Sequence, residues 1–366
     1  MSKRIFAPHS IGSLTLKNRI VMAPMTRNRA DFQTDSPTDL TALYYKQRSN
    51  AGLIITEGTQ TSPMSKGYLA TPGIFSDAQI AGWKKVADTV HAENGLIFLQ
   101  LMHCGRISHK SILPNQADPL SASDVQANGS AFAFDEAGNP GFVPCSKPRA
   151  IKTEEISALI AEFKQSAVNA RKADLDGIEL HAANGYLLEQ FLNPKVNIRT
   201  DNYGGSIQNR ARLILETAQA CVDAIGGDRV GIRFSPNSRY NDMPEYDDYA
   251  ELYLYLANEL NKIGIGYIHL FDQIVFGAPG VPSELFSAMR SAFKGTMIVC
   301  GGLDAQKGEE LITSNKADLI AIGRPYLYNP DLVSRYQHNY PLAEGDQTHW
   351  YGGNEVGYTD YPVYSA

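Results

Sequence analysis

The chain has 366 residues, 43% of them hydrophobic, and its 33 basic and 39 acidic residues leave a formal net charge of −6. This composition allows a large buried core and carries no basic stripe, which disfavours a nucleic-acid partner. The longest apolar stretches, such as residues 95–102, are far too short to span a membrane, and the first ten residues lack the apolar region of a secretory signal.

Short runs rich in β-branched residues alternate along the chain with amphipathic helical patterns. Eight of these runs are predicted as buried parallel strands: Arg19–Ala23, Leu53–Glu57, Leu96–Leu101, Gly177–His181, Val230–Phe234, Tyr267–Phe271, Met297–Cys300 and Leu319–Ile322. Because strands and helices alternate throughout, we predict a single (β/α)8 TIM barrel domain that occupies residues 1–366. A doubly wound open sheet is the structural alternative.

Several of the intervening helices have recognisable starts and ends. Ser76 and Gln79 form a capping box before one helix, and Thr153, followed by two acidic residues, is expected to start the next. Ser206 is expected to begin a third helix, which Gly226 ends.

Two segments do not fit a minimal barrel. Residues Arg4–Leu16 predict a short hairpin, turned at Gly12-Ser13, that closes the bottom of the barrel. Residues 103–150, after the third strand, are long, polar and rich in proline, with a hairpin-like turn at Asp135–Gly141. Since a long loop at the carboxyl end of a barrel strand is typical of an active-site cover, we predict a lid here.

The chemistry of a (β/α)8 barrel lies at the carboxyl ends of its strands. The residues at those ends are Pro24-Met25-Thr26, Glu57-Gly58, Gln100, His181 with Asn184, Arg233, Gly301-Gly302 and Gly323-Arg324. They include no pair of carboxylates, no HExxH or GxSxG motif and no lysine suited to a Schiff base. A glycosidase and a lysine-dependent aldolase are therefore disfavoured.

The last two strand ends predict a phosphate site. Gly301-Gly302 and Gly323-Arg324 follow strands seven and eight, where barrels commonly bind phosphate. Glycine lets backbone amides approach a phosphate, and a guanidinium adds a charged, two-pronged contact. No GxGxxG follows a strand, so a nicotinamide is expected to visit the same open cleft and not a dedicated nucleotide domain.

Several ordered motifs together resemble the old yellow enzyme family. They are NRIVMAPMTR at 18–27, EGT at 57–59, QLMHCGR at 100–106, HAANGYLL at 181–188, RTDNYGGS at 199–206 with Asn209-Arg210, YGG at 351–353 and GYTDYP at 357–362. The match spans nearly the whole chain, and within the family it is most similar to the bacterial N-ethylmaleimide and nitrate-ester reductases.

The resemblance implies noncovalent FMN across the barrel mouth, reduced by NADPH or NADH. The residues that it assigns to the cofactor are Pro24, Met25, Thr26, Gly58, Gln100, Arg233, Gly301, Gly302, Gly323 and Arg324. Of these, Thr26 would tune the flavin near N5 and Gln100 would meet the pyrimidine edge. Arg233 would face N1 and O2, where negative charge collects on reduction.

The resemblance also implies reduction of activated C=C bonds in enones, enals, maleimides and nitroalkenes. Hydride would leave flavin N5, and Tyr186 would protonate the other carbon, while His181 and Asn184 donate to the substrate oxygen. Tyr68, Met102 and Tyr351 are the predicted substrate pocket, with Trp350 beside it. Relatives in this branch often carry Trp where this chain has Met102, which leaves substrate preference open.

Three other functions remain as alternatives at this stage. A phosphate-sugar isomerase or aldolase shares the phosphate site but needs a lysine or carboxylate base. A dienoyl-CoA reductase needs an iron–sulfur motif and a further flavin domain. A non-catalytic flavin-binding protein needs none of Tyr186, His181 and Asn184.

The metal content, the cellular location and the partners of the protein are also predicted from the sequence. The four cysteines are scattered and form no CxxC pair, so no metal site is expected and a reducing cytoplasmic location is favoured. The expected partner is a small-molecule substrate, and the expected state is a monomer or a weak homo-oligomer. The natural substrate, the choice between NADPH and NADH, and activity on nitro compounds or nitrate esters stay open.

Overall fold

A computed structural model describes residues 3–365 of the chain. The strands are β1 (His9–Ile11), β2 (Leu14–Leu16), β3 (Ile20–Met22), β4 (Leu53–Ile55), β5 (Thr59–Gln60), β6 (Ile97–Met102), β7 (Leu120–Ser121), β8 (Ser130–Phe134), β9 (Pro140–Pro144), β10 (Arg149–Ala150), β11 (Gly177–Ala182), β12 (Val230–Phe234), β13 (Tyr267–Phe271), β14 (Thr296–Cys300) and β15 (Leu319–Ile322).

The helices fill the connections between these strands. The α-helices are α1 (Asp39–Gln47), α2 (Asp77–His91), α3 (Ile156–Lys172), α4 (Leu187–Leu192), α5 (Ile207–Ile225), α6 (Tyr249–Ile263), α7 (Ser283–Ala292), α8 (Ala305–Thr313), α9 (Arg324–Tyr328) and α10 (Leu332–His338). Short 3-10 helices lie at Arg4–Phe6, Pro63–Ser65, Lys110–Ile112, Pro114–Gln116, Thr153–Glu155, Gly227–Arg229, Gln273–Phe276 and Gln347–His349. Within residues 3–365, no helix has the length and apolar character needed to cross a bilayer.

Eight parallel strands close into a barrel. Their order is β3-β4-β6-β11-β12-β13-β14-β15, and β15 pairs with β3 to complete the circle. The predicted (β/α)8 barrel is confirmed, and the open-sheet alternative is wrong. The predicted strand Leu53–Glu57 is too long, because the backbone N–H of Glu57 donates to the Tyr45 hydroxyl at 2.9 Å and not to a neighbouring strand.

Both faces of the barrel strands are buried, as expected for a parallel sheet covered by helices. Residues of β3, β4, β6, β13, β14 and β15 pack inside the barrel, in a cluster that includes Val21, Phe98 and Ile298. Ile11 and Leu16 of the β1–β2 hairpin belong to the same cluster. The hairpin therefore closes the bottom of the barrel, as predicted from the sequence.

The long excursion at residues 103–150 carries a second hairpin. Strands β8 and β9 pair in antiparallel fashion, and the backbone N–H of Asp135 donates to the Asn139 carbonyl at the predicted turn. Phe132 of this hairpin forms a bridge with Tyr68, which places the hairpin beside the carboxyl ends of the barrel strands. Its action as a lid stays a prediction.

The helix starts follow the predicted caps with one exception. Ser76 and Gln79 form the expected capping box, and Gly226, with φ of +89°, ends α5. Thr153 does not cap α3, because its hydroxyl donates to the carboxylate of Asp201 at 2.5 Å. Helical structure does begin at Thr153, as a 3-10 turn, and the α-helix proper begins at Ile156.

Candidate active site

A cavity of about 1040 Å³ lies at the carboxyl ends of the barrel strands. Its wall includes nearly every site residue expected from the sequence: Pro24, Met25, Thr26, Tyr68, Gln100, Met102, His181, Asn184, Tyr186, Arg233, Gly301, Gly302, Gly323, Arg324 and Tyr351. Gly58 is the exception, because it is packed behind the wall, where an added Cβ would lie 2.6 Å from the sulfur of Met102.

One end of the cavity is formed by glycine backbone and by the guanidinium group of Arg324. Gly301 and Gly302 follow β14 with φ of +139° and +62°, a conformation that favours glycine. Gly323 leaves open space, since an added Cβ would meet nothing closer than 3.7 Å. The exposed guanidinium of Arg324 lies 5.6 Å from the Phe276 ring centroid. Open glycine backbone beside a cation suits a phosphate group.

Polar side chains form the floor of the cavity. The Gln100 amide N–H donates to Glu179 at 2.8 Å, and the other oxygen of that carboxylate lies 2.8 Å from His269 Nδ1. Arg233 lies over the Phe271 ring at 4.5 Å, and its buried Nε has no partner within residues 3–365. A buried, unpaired N–H at a cavity floor is the kind of donor that a bound ligand would satisfy.

Two hydrogen-bond donors, His181 and Asn184, lie on one wall of the cavity. His181 lies near the end of β11 and is buried, and its Nδ1 has no partner in the described part of the chain. Burial, helped by the positive charge of Arg233, holds the pKa of His181 well below its usual range, so the ring is neutral at pH 7. Asn184 follows in a left-handed conformation, with φ of +60°.

Two phenols meet beside this donor pair. The hydroxyl oxygens of Tyr186 and Tyr68 lie 3.0 Å apart, and the Tyr186 ring meets the His181 ring edge-on with centroids 5.0 Å apart. Burial raises the pKa of both tyrosines well above 10. Tyr186 therefore holds a proton at neutral pH, next to a second hydroxyl that can share it.

A buried carboxylate holds the turn between the donors and the phenol. Glu189 of α4 accepts from the Gly185 backbone N–H at 2.5 Å and from the Ser235 and Tyr253 hydroxyls at 2.9 and 3.1 Å. Ser235 in turn accepts from the Asn184 N–H at 2.8 Å. Burial outweighs these donors and raises the pKa of Glu189 to about 7. Glu189 was not predicted from the sequence, although a lone acid in an apolar helix is a usable signal.

Other wall residues were also missed, because they lie on irregular segments without a motif. Phe132 and Phe142 come from the excursion hairpin, and Tyr240 stacks with Phe276 at the mouth. Trp350 lines the cavity as well as packing beside it, and its indole N–H donates to the Tyr328 hydroxyl.

His103 and Arg106 support the excursion and do not line the cavity. Arg106 donates to the Asp242 carbonyl at 2.5 Å, and His103 Nδ1 accepts from the Gly105 N–H at 3.0 Å. Among residues 3–365 there is no group of three or more His, Cys, Asp or Glu that could hold a metal ion.

Comparisons with known proteins agree with this geometry. Residues 4–343 match the model of the NADH:flavin oxidoreductase / NADH oxidase family. The chain is 39% identical to 12-oxophytodienoate reductase 2 of Arabidopsis thaliana, with 98% of this chain and 95% of that protein covered. It is also 39% identical to the putative 12-oxophytodienoate reductase 11 of Oryza sativa subsp. japonica, over 98% and 97%.

Solved structures of related proteins also match nearly the whole chain. Morphinone reductase in complex with tetrahydroNAD is 43% identical, with a TM-score of 0.95 and coverage of 99% of this chain and 98% of that one. The old yellow enzyme homologue from Zymomonas mobilis is 34% identical, with a TM-score of 0.92 and coverage of 98% and 99%.

Proposed function

The chain belongs to the NADH:flavin oxidoreductase / NADH oxidase family, the old yellow enzymes, and on that premise we propose that it uses FMN and NAD(P)H to reduce activated C=C bonds. Relatives named 12-oxophytodienoate reductase and morphinone reductase support this reaction class. One observation carries the proposal: His181, Asn184 and Tyr186 share a wall of the cavity whose far end suits a phosphate.

The cavity fits FMN by the chemistry of its donors. Gly301, Gly302, Gly323 and Arg324 would hold the phosphate, and Pro24, Met25, Thr26 and Gln100 would line the ring system. The unpaired Nε of Arg233 would face the edge where charge develops. Gly58 would contribute only from behind Met102. Bound there, FMN supplies hydride-transfer chemistry, with NADPH or NADH as the reductant.

His181 and Asn184 would bind the substrate's carbonyl or nitro oxygen. Both are neutral donors in a buried wall, where a hydrogen bond to developing negative charge is stronger than in water. They polarise the conjugated double bond and stabilise the enolate-like charge that forms as the carbon is reduced.

Tyr186 would deliver the proton that completes the reduction. Its raised pKa keeps the hydroxyl protonated, and a phenol can still protonate a carbanion, which is far more basic. Tyr68, at 3.0 Å, is placed to stabilise the phenolate left behind.

Met102, Tyr68 and Tyr351 would shape the substrate pocket. Met102 is a flexible thioether, and Tyr351 is 58% exposed at the mouth. A soft wall and an open mouth suit enones, enals, maleimides and nitroalkenes of varied size; side activity on nitro compounds or nitrate esters is part of the same proposal.

The residues that line the cavity do not support the competing functions. Of the residues that line the cavity in the described part of the chain, none is Lys, Asp or Glu, so an aldolase or isomerase base is missing. A non-catalytic flavin-binding protein would not need His181, Asn184 and Tyr186 in one place. We further propose one domain with residues 103–150 as a lid, a cytoplasmic location, a small-molecule partner, and a monomer or weak homo-oligomer.

The test is the anaerobic visible spectrum of the purified protein, before and after NADPH or NADH and then after 2-cyclohexenone. We expect flavin bands that bleach with the nicotinamide and return with the enone. A colourless protein that FMN cannot reconstitute would refute the cofactor, and a bleached protein that ignores the enone would refute the alkene as substrate.

A further inference from the structure

Only one end of the Asn184 side chain can stabilise an oxyanion. A primary amide carries N–H donors at Nδ2 and an acceptor at Oδ1, and the two ends are nearly identical in shape. Packing alone therefore does not decide which end faces a substrate. If Oδ1 faced the cavity, it would repel the developing negative charge that Nδ2 would stabilise.

Hydrogen bonds decide the matter in this chain. Gln273, at the start of the 3-10 helix Gln273–Phe276, is buried, and its Nε2–H donates to Asn184 Oδ1 at 2.8 Å. The acceptor end of Asn184 is thereby occupied. Asn184 lines the cavity, which leaves its Nδ2–H for the substrate.

The direction of Gln273 is itself fixed by a third residue. The Ser238 hydroxyl accepts from the Tyr240 backbone N–H at 3.1 Å and donates to Gln273 Oε1 at 2.7 Å. A backbone N–H can only donate. If Gln273 turned over, the buried Ser238 proton would lose its acceptor, which disfavours that orientation.

We propose that Gln273, oriented by Ser238, is a positioning residue that makes Asn184 present its N–H and not its carbonyl oxygen to the substrate. The inference rests on the proposed function, since it assigns a polarity to one donor of that site. The pocket consequently selects substrates whose activating group is a pure acceptor, such as a carbonyl or nitro oxygen.

The backbone of Asn184 is held separately, which isolates the effect. Its N–H donates to Ser235 at 2.8 Å, and its carbonyl accepts from Asn241 Nδ2 at 2.8 Å. Gln273 touches neither of these contacts, so replacing it by Met, which is also unbranched, removes the orienting bond while the turn keeps its anchors.

The experiment is a double-mutant cycle on the FMN-loaded protein, and the phenol used as the probe is a nitrophenol that is ionised at neutral pH, so that its oxygen can only accept hydrogen bonds. Its binding is followed by the change in the flavin's visible absorption. We expect Gln273→Met to weaken phenol binding about ten-fold and Ser238→Ala to weaken it about three-fold, because each loosens the Asn184 amide without removing it. In an Asn184→Ala background, neither change should weaken binding further.

The outcomes separate this inference from the function on which it rests. Equal weakening by Gln273→Met with and without Asn184 would overturn it, as would unchanged phenol affinity in the single variant. FMN content and the visible spectrum report folding, and Ser238→Ala gives an independent reading if the Met variant fails to fold. If the unaltered protein binds FMN but not phenol, the oxyanion site fails and the inference fails with it.

Discussion

The two ends of the cavity are built in different ways. At the phenol end, the turn from His181 to Tyr186 is held by side chains, with Glu189, Ser235 and Gln273 bonding to its backbone and amide. At the phosphate end, the wall is glycine backbone, open at Gly323, beside the exposed guanidinium of Arg324. On the proposed function, side-chain hydrogen bonds hold the reacting groups in advance, whereas backbone and one exposed cation would hold the cofactor phosphate.

The largest effect is expected at the phenol end, called the fixed end below, where side chains hold the turn from His181 to Tyr186. His181→Ala removes a proposed donor to the substrate oxygen, which should slow enone reduction by about 100-fold while reduction of the flavin by NADPH continues. Stopped-flow absorbance separates the two half-reactions. The matched control is His338→Ala, an exposed histidine on α10 that should leave both rates unchanged. Equal slowing of both half-reactions would remove His181 from the oxyanion role.

A smaller effect is expected at the phosphate end of the cavity. Arg324→Gln removes the proposed charged contact to phosphate, which should weaken FMN binding about ten-fold and leave turnover unchanged when FMN is saturating. Equilibrium dialysis measures the affinity. Arg149→Gln is the control, because Arg149 is half-exposed and pairs with Glu155 away from the cavity. Unchanged FMN affinity in the Arg324 variant would contradict the phosphate assignment.

The smallest expected effect is a pH dependence of stability at the fixed end. Because the pKa of Glu189 is raised to about 7 in the folded protein, folding favours the protonated form. This contribution is fully present below about pH 4.5 and is lost as the pH rises through about 7. Glu57, whose pKa burial also raises to about 7, adds a contribution of the same sign.

The measurement is urea unfolding across pH 4.5–8. Glu189→Gln should reduce the dependence by up to about one bound proton, with the part due to Glu57 remaining. An unchanged slope in the Gln variant would show that Glu189 is already ionised at low pH, held by its three donors.

The same contrast explains what the sequence could predict. The barrel follows from periodicity, and the phosphate end from glycines at strand ends, both of which are local signals. Gln273 and Ser238 act through contacts between residues distant in sequence, so no local pattern marks them, whereas Glu189 stands out as a lone acid in an apolar helix. Thr153 failed as a cap because a distant acid, Asp201, binds its hydroxyl. Gly58 lies behind the cavity wall because the Met102 side chain covers it, and its role toward the cofactor stays a prediction.

The most direct test of the account is the enone half-reaction of the Tyr186→Phe variant, followed anaerobically from pre-reduced protein. Phe keeps the ring and removes the hydroxyl that meets Tyr68 at 3.0 Å. We expect NADPH to reduce the flavin at the normal rate, while reoxidation by 2-cyclohexenone becomes at least about ten-fold slower because the proton donor is missing. Unchanged rates in both half-reactions would contradict the assignment of Tyr186 as the acid.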